Sequence, residues 1–322
     1  MKLCRWLFTC ILQETSILFP SNVNFIMAIS HATRGLKKTK NTDVNRKIQE
    51  NDKTGGSCVR RLLSVVTKFI VFFIGWALCI GFDIPFNDPV LWRLGAEAIP
   101  LAVIIIFSII FWLIEKREFP IAMMTNHSFK NILEGIAVGS VWLGSAILIL
   151  VLTHSISFVG TNPVRLLPVW MFACFLNTIM QELLARGYLY QLIKKNYNPF
   201  AATVVTTILF TLMHGGAFEA GVIPVLNVIT MSIFMTVALE YTQSILDPIM
   251  LHFIWNGVGA IILGGVSLAS DYPSLLQVSY SGNTFLSGGI CKIEGSIVVL
   301  FLNLLFIIIF SILNSRSNRS VK

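Results

Sequence analysis

Charge is scarce in this chain. Only 12% of its 322 residues are Asp, Glu, Lys or Arg, about half the share of a soluble domain. That shortage excludes a water-soluble globule, since 55% of the residues are hydrophobic and the mean hydropathy is +0.76. Cysteine offers no framework either. Cys4, Cys10, Cys58, Cys79, Cys174 and Cys291 form no CxxC pair. Cys79 and Cys174 lie inside apolar runs and read as small apolar residues, not as a disulfide frame or a thiolate metal site. The opening "MKLCRWLFTCIL" runs straight into Gln13, Glu14 and Thr15 without a small-residue cleavage site. It reads poorly as a signal peptide, and either Met1 or Met27 can serve as the start. No internal repeat and no second soluble domain is visible.

What charge there is leans basic, by +8. Its placement argues against nucleic acid. Half of the 24 Lys and Arg residues fall in the first 68 positions, among them Lys37, Lys38, Lys40, Arg46, Lys47, Arg60 and Arg61. No nucleic-acid motif or basic aromatic face accompanies them. A basic stretch beside the first long apolar run is instead the positive-inside signal. Residues 1–61 are expected to be a cytoplasmic basic segment without fixed structure.

A spanning helix needs about 20 mostly apolar residues. Eight runs qualify, near 62–83, 95–114, 131–153, 166–185, 199–215, 221–241, 247–265 and 292–313. The connections alternate in charge. Glu115, Lys116, Arg117 and Lys130 flank one; Lys194 and Lys195 another; Arg316, Arg319 and Lys322 end the chain. "DIPFNDPV", "SISFVGTNP" and "GGAFEAG" hold no Lys or Arg. The expected fold is all-α, a polytopic transmembrane helix bundle of about eight spans in the cell membrane, with both termini cytoplasmic. Residues 62–160 form the first helices and 161–268 a core. Residues 269–322 supply an outer loop, the last helix and a short tail.

Polar residues inside apolar runs are expensive and seldom idle. "QELLARGYLY" places Glu182 and Arg186 four apart, on one helical face. Asn177 and Gln181 form an adjacent polar stripe. "FTLMH" ends in His214. "DPIMLHFIWN" opens with Asp247 as a candidate N-cap and sets His252 and Asn256 four apart. Of five histidines only His214 and His252 lie well inside apolar runs. Both follow what reads as the sole intramembrane carboxylate–guanidinium pair. Each group alone also fits plain helix packing. Together, a carboxylate, two imidazoles and an amide can activate a water and donate to an oxyanion. Two histidines and a carboxylate can equally hold zinc, with His214 and His252 as ligands.

The order Gln181-Glu182-x-x-x-Arg186-Gly187, then Phe210-x-x-x-His214, then His252-x-x-x-Asn256 resembles the CPBP intramembrane proteases. These include the type II CAAX prenyl endopeptidases and the bacteriocin-processing and immunity proteins called Abi. The resemblance covers about 165–265. It implies an intramembrane endopeptidase, of metallo or glutamic type, acting on a membrane-associated peptide or protein C-terminus. Glu182, His214, His252, Asn256, Gln181 and Arg186 would be its site. Gln181 departs from the pattern, which usually opens with two glutamates, the first taken to activate water. An amide cannot act as a general base. That leaves Glu182, or His214 and His252 with a metal, to supply the base. A non-catalytic member that binds a peptide or a signalling partner, or serves as a bacteriocin immunity factor, is the competing expectation. A small transporter fits less well, because the polar residues cluster instead of lining a path.

Overall fold

A computed structural model describes residues 60–79, 84–119 and 127–320. The basic segment expected over residues 1–61 falls almost wholly outside the described residues, as does the end of the first expected span. Helix α1 covers Arg60–Cys79, α2 Pro89–Ile114, α3 Ser128–Leu152 and α4 Leu167–Arg186. Then come α5, Tyr188–Asn196; α6, Pro199–Met213; the single-turn α7, Gly216–Ala220; and α8, Val222–Thr242. Helix α9, Leu246–Phe253, widens into a π-helix over Ile254–Ile262. The chain closes with α10, Thr284–Ser287, a 3₁₀ stretch Gly289–Gly295 and α11, Ile297–Ser320.

The all-α polytopic bundle read from the sequence is what the structure has. Among the described residues six helices are long and apolar enough to cross a membrane. The other two expected spans, Pro199–Met213 and Leu246–Ile262, are shorter. At about 1.5 Å per residue, the 15 residues of α6 reach about 22 Å, against a hydrocarbon core of about 30 Å. The large apolar side chains left exposed, such as Leu78, Ile114, Leu148 and Ile308, suit a lipid surround.

Local chemistry explains several of the breaks. Asp88 caps α2 by accepting from the Val90 and Leu91 amides, and Pro89 fills the first helical position. Asn198 and Pro199 start α6 the same way. Gly187 separates α4 from α5, where a Cβ would stand 2.4 Å from the Leu183 carbonyl oxygen. The expected cap at Asp247 is not formed. Helix α9 starts two residues earlier, at Leu246, Ser244 Oγ accepts from the Leu246 amide, and both Asp247 carboxylate oxygens are buried without a hydrogen-bond partner among the described residues.

The two larger of three buried clusters among the described residues hold most of the helices. One centres on Tyr188, stacked against Phe72 and Phe111, with Leu184, Leu192 and Leu209 around it. The other centres on Trp142 and Trp255, stacked at 4.1 Å between centroids. Helices α3 and α9 approach closely at Gly135, where a Cβ would meet the Asp247 carbonyl oxygen at 2.6 Å. Small residues at such a crossing are the usual means of packing membrane helices.

One feature was not expected. Strand β1, Ile156–Thr161, pairs antiparallel with β2, Leu276–Tyr280, from Ile156 opposite Tyr280 to Thr161 opposite Leu276. It ties the connection before α4 to the loop after the π-helix. Reporters placed at residues 160 and 280 should therefore read the same side of the membrane. A reporter at 196, beyond the 30-residue apolar stretch Leu167–Asn196, should read the opposite side. Opposite readings at 160 and 280 would refute the strand pairing.

Candidate active site

Helix α4 supplies Gln181, Glu182 and Arg186, and the rest of the site assembles on it. Glu182 and Arg186 are fully buried, and Arg186 Nη1 donates to both Glu182 carboxylate oxygens at 2.9 Å. Helix α8 takes the other end of the guanidinium. Nη2 donates to the Ser232 carbonyl and to Ser232 Oγ, each at 2.8 Å, and Nε donates to Thr236 Oγ1 at 3.4 Å. The Phe210 ring of α6 lies under the guanidinium, 4.7 Å from its central carbon, a cation–π contact that a desolvated site strengthens.

Helix α9 delivers the second motif pair. His252 Nδ1 meets Glu182 Oε1 at 2.8 Å, and Asn256 Nδ2 meets His252 Nε2 at 3.0 Å. A carboxylate only accepts, so Nδ1 carries the proton and Nε2 accepts from the Asn256 amide. Glu182 thus fixes the tautomer and the plane of His252, and His252 fixes Asn256. Asn256 sits in the π-helix, a rare form that is frequent at functional sites.

His214 follows α6 directly and caps it. Its Nδ1 lies 2.8 Å from the Phe210 carbonyl oxygen, to which it must donate, so Nε2 keeps its lone pair. Straight spans would have put His214 and His252 at opposite depths. The short α6 removes that conflict, and both imidazoles now flank Phe210, at 4.4 and 5.7 Å between ring centroids.

Gln181, His214 and Asn256 line one cavity of about 880 Å³, together with Glu97, Tyr272 and Glu294. Glu182, Arg186 and His252 stand behind its wall. The six expected site residues therefore divide into a cavity-lining set and a buried set that supports it. Among the described residues no group of three or more His, Cys, Asp and Glu side chains is gathered to hold a metal. His252 has both ring nitrogens engaged by Glu182 and Asn256. The side chains as arranged do not fit a two-histidine zinc site.

The Glu182–Arg186 pair is not the sole intramembrane pair. Arg93 and Glu97 on α2 form another, Nη1 to Oε1 at 3.0 Å, also four residues apart. The expected span began at residue 95 and so left Arg93 outside it. Arg93 also pairs with Asp271. Glu97 accepts from Tyr272 Oη at 3.1 Å and from Asn177 Nδ2 at 2.7 Å. Burial first, and the Glu97 carboxylate next, push the Tyr272 phenol up, which keeps it a donor. Glu97 is therefore a carboxylate on the cavity that the motif order did not reveal. A carboxyl group near the start of an apolar run was the available signal.

With the geometry in place, the comparisons with known proteins are informative. Residues 163–258 match the family described as Rce1-like, type II CAAX prenyl endopeptidase. The match covers the three motifs that carry the resemblance to the CPBP proteases. Comparison with curated proteins and with solved structures found no match.

The ion pair has a thermodynamic signature. Arg186→Met strands the Glu182 carboxylate in a dry site and should cost about 3–5 kcal/mol. The double variant Glu182→Gln with Arg186→Met should lose less. Thermal unfolding of the detergent-purified proteins checks this, and a double variant no more stable than Arg186→Met would show that the charges do not depend on each other.

Proposed function

We propose that the protein is an intramembrane endopeptidase that cleaves a membrane-associated peptide or protein C-terminus. The observation that carries this reading is that Gln181, His214 and Asn256 line one cavity while Glu182 and His252 brace Asn256 from behind. The family match supports the same class.

In this mechanism a water sits between Gln181 and His214. As its oxygen attacks the scissile carbonyl carbon, His214 Nε2 takes its proton. Asn256 keeps one amide N–H beyond the one given to His252 and offers it to the carbonyl oxygen as that oxygen becomes negative. When the tetrahedral adduct collapses, the C–N bond breaks and His214 returns the proton to the leaving amine. Glu182 does not touch the water; it holds His252, and through it Asn256, in one orientation. Arg186 holds Glu182 in place by donating to both of its carboxylate oxygens. Residues 161–268 carry this chemistry. The alternation of Lys and Arg supports cytoplasmic termini. Bilayer and peptide are the partners; nothing in the charge pattern supports nucleic acid.

One observation favours a second reading, a peptide-binding member without proteolysis. Glu182, the carboxylate of the first motif, is fully sequestered by Arg186 and His252, and Gln181 cannot take a proton.

A cleavage assay on a fluorogenic membrane peptide in detergent separates these readings. Wild type should cleave. His214→Ala should lose about 10²–10⁴-fold, the worth of a general base. Asn256→Ala should lose about 10²–10³-fold, the worth of an oxyanion donor. Accumulation in the membrane should be unchanged for both. A zinc chelator should leave the rate unaltered; loss that added zinc restores would replace His214 as base with a metal-bound water. Cleavage that appears only in Gln181→Glu would establish the binding reading.

A further inference from the structure

The cavity wall holds a chain of three polar side chains from two helices. Glu97 Oε2 of α2 accepts from Asn177 Nδ2 at 2.7 Å, and Asn177 Oδ1 accepts from Gln181 Nε2 at 2.8 Å. At the end of the chain Gln181 Oε1 is buried, with no hydrogen-bond partner among the described residues. Buried polar atoms are seldom left so, and an exception calls for a reason.

The direction of this chain is not free. An ionised carboxylate offers acceptors only, so Asn177 must turn its NH₂ toward Glu97 and its carbonyl toward Gln181. Gln181 must then spend its NH₂ on Asn177 and leave its carbonyl unengaged. Two amides that could each be turned either way are set by one charge. That charge is itself held from the far side by Arg93 Nη1 at 3.0 Å and Tyr272 Oη at 3.1 Å.

We propose that Glu97 is a positioning residue of the cavity: acting through Asn177, it fixes the Gln181 amide so that its carbonyl oxygen, not its NH₂, meets what binds there. The group it receives is a hydrogen-bond donor, a water or a backbone N–H of an extended peptide. This rests on the proposed endopeptidase reading for its catalytic consequence, but the polarity of the chain stands on the geometry alone.

The polarity makes a distinctive prediction. With a glutamine at position 97, Arg93 and Tyr272 hold the carbonyl end and the NH₂ end faces Asn177. Asn177 must turn over, Gln181 must turn with it, and a donor replaces the acceptor at the cavity. Restoring an acceptor then requires a carboxylate at position 181. Asn177 in its reversed orientation donates to that carboxylate, whose second oxygen faces the cavity. Glu97→Gln and Gln181→Glu should therefore each harm the protein alone and compensate each other when combined.

Two measurements on wild type, Glu97→Gln, Gln181→Glu, the double variant and Asn177→Leu test this. In the cleavage assay Glu97→Gln and Asn177→Leu should lower kcat about a hundredfold, the effect of a misplaced reacting group, with KM little changed. The double variant should regain most of that loss. In thermal unfolding the double variant should be more stable than either of its component single variants, because neighbours in one hydrogen-bonded network are not additive. Additive losses of stability, or wild-type activity in Asn177→Leu, would overturn the proposal. If wild type cleaves nothing, the endopeptidase reading falls, and the unfolding cycle still decides the relay. If Glu97→Gln fails to accumulate, Asn177→Leu decides it, since that variant leaves Glu97 paired with Arg93 and Tyr272.

Discussion

A charge inside these helices is costly unless another group meets it, because the surrounding hydrocarbon offers no water to do so. Arg186 is the place where that demand is greatest and where most of the core is consequently fixed. Its guanidinium draws on Glu182 from its own helix, on Ser232 and Thr236 from α8, and on the face of Phe210 from α6. Glu182 in turn draws in His252 from α9. Four helices are thereby held to one side chain, and their angular settings about their own axes follow. The apolar clusters around Tyr188 and Trp142 fill the remaining space, but apolar contacts alone leave such settings loosely specified.

This division of labour separates two jobs that the motif order runs together. The charged members, Glu182 and Arg186, sit where water is excluded and give rigidity. The members that open on the cavity, Gln181, His214 and Asn256, are neutral amides and an imidazole whose hydrogen-bonding ends are set by what lies behind them. The same device recurs at the other end of the Gln181 chain, where Arg93 and Tyr272 stand behind Glu97. In both cases an ion pair four residues apart on one helix anchors a neutral side chain from another.

Much of this was legible in the sequence, and the reasons differ by feature. The helices were, because a run of about 20 apolar residues has few other uses. The grouping of Glu182, Arg186, His252 and Asn256 was, because polar groups in such runs stand out. The depth of His214 was not. Span-counting gives every apolar run a full crossing, and α6 ends at Met213 after 15 residues. Glu97 was missed because it lies near the end of an apolar run, where a carboxylate resembles an ordinary flanking charge. Its inward direction depends on Arg93, on Asn177, 80 positions downstream, and on Tyr272, 175 positions downstream. The strand pair was illegible for a similar reason. "ISFVGT" and "LQVSY" are short, lie far apart, and carry no turn to join them. Asp247 shows the opposite failure, a local cap signal that Ser244 overrides by accepting from Leu246.

The brevity of α6 bears on the lipid as well as on the protein. A segment that falls several ångström short of the hydrocarbon thickness forces the neighbouring lipids to shorten or splay so that its ends stay wet. Because α6 ends at the residue before His214, thinning of the leaflet at that end would fall beside the cavity. Such a dimple would bring the headgroup layer, with its solvent, toward the level of the imidazole. The proposed hydrolysis would need a supply of water, and an amphipathic peptide resting at the interface would then need only a short path inward. A bilayer of thinner or more pliable lipid accommodates that shape at lower elastic energy, so the host membrane becomes part of the working geometry.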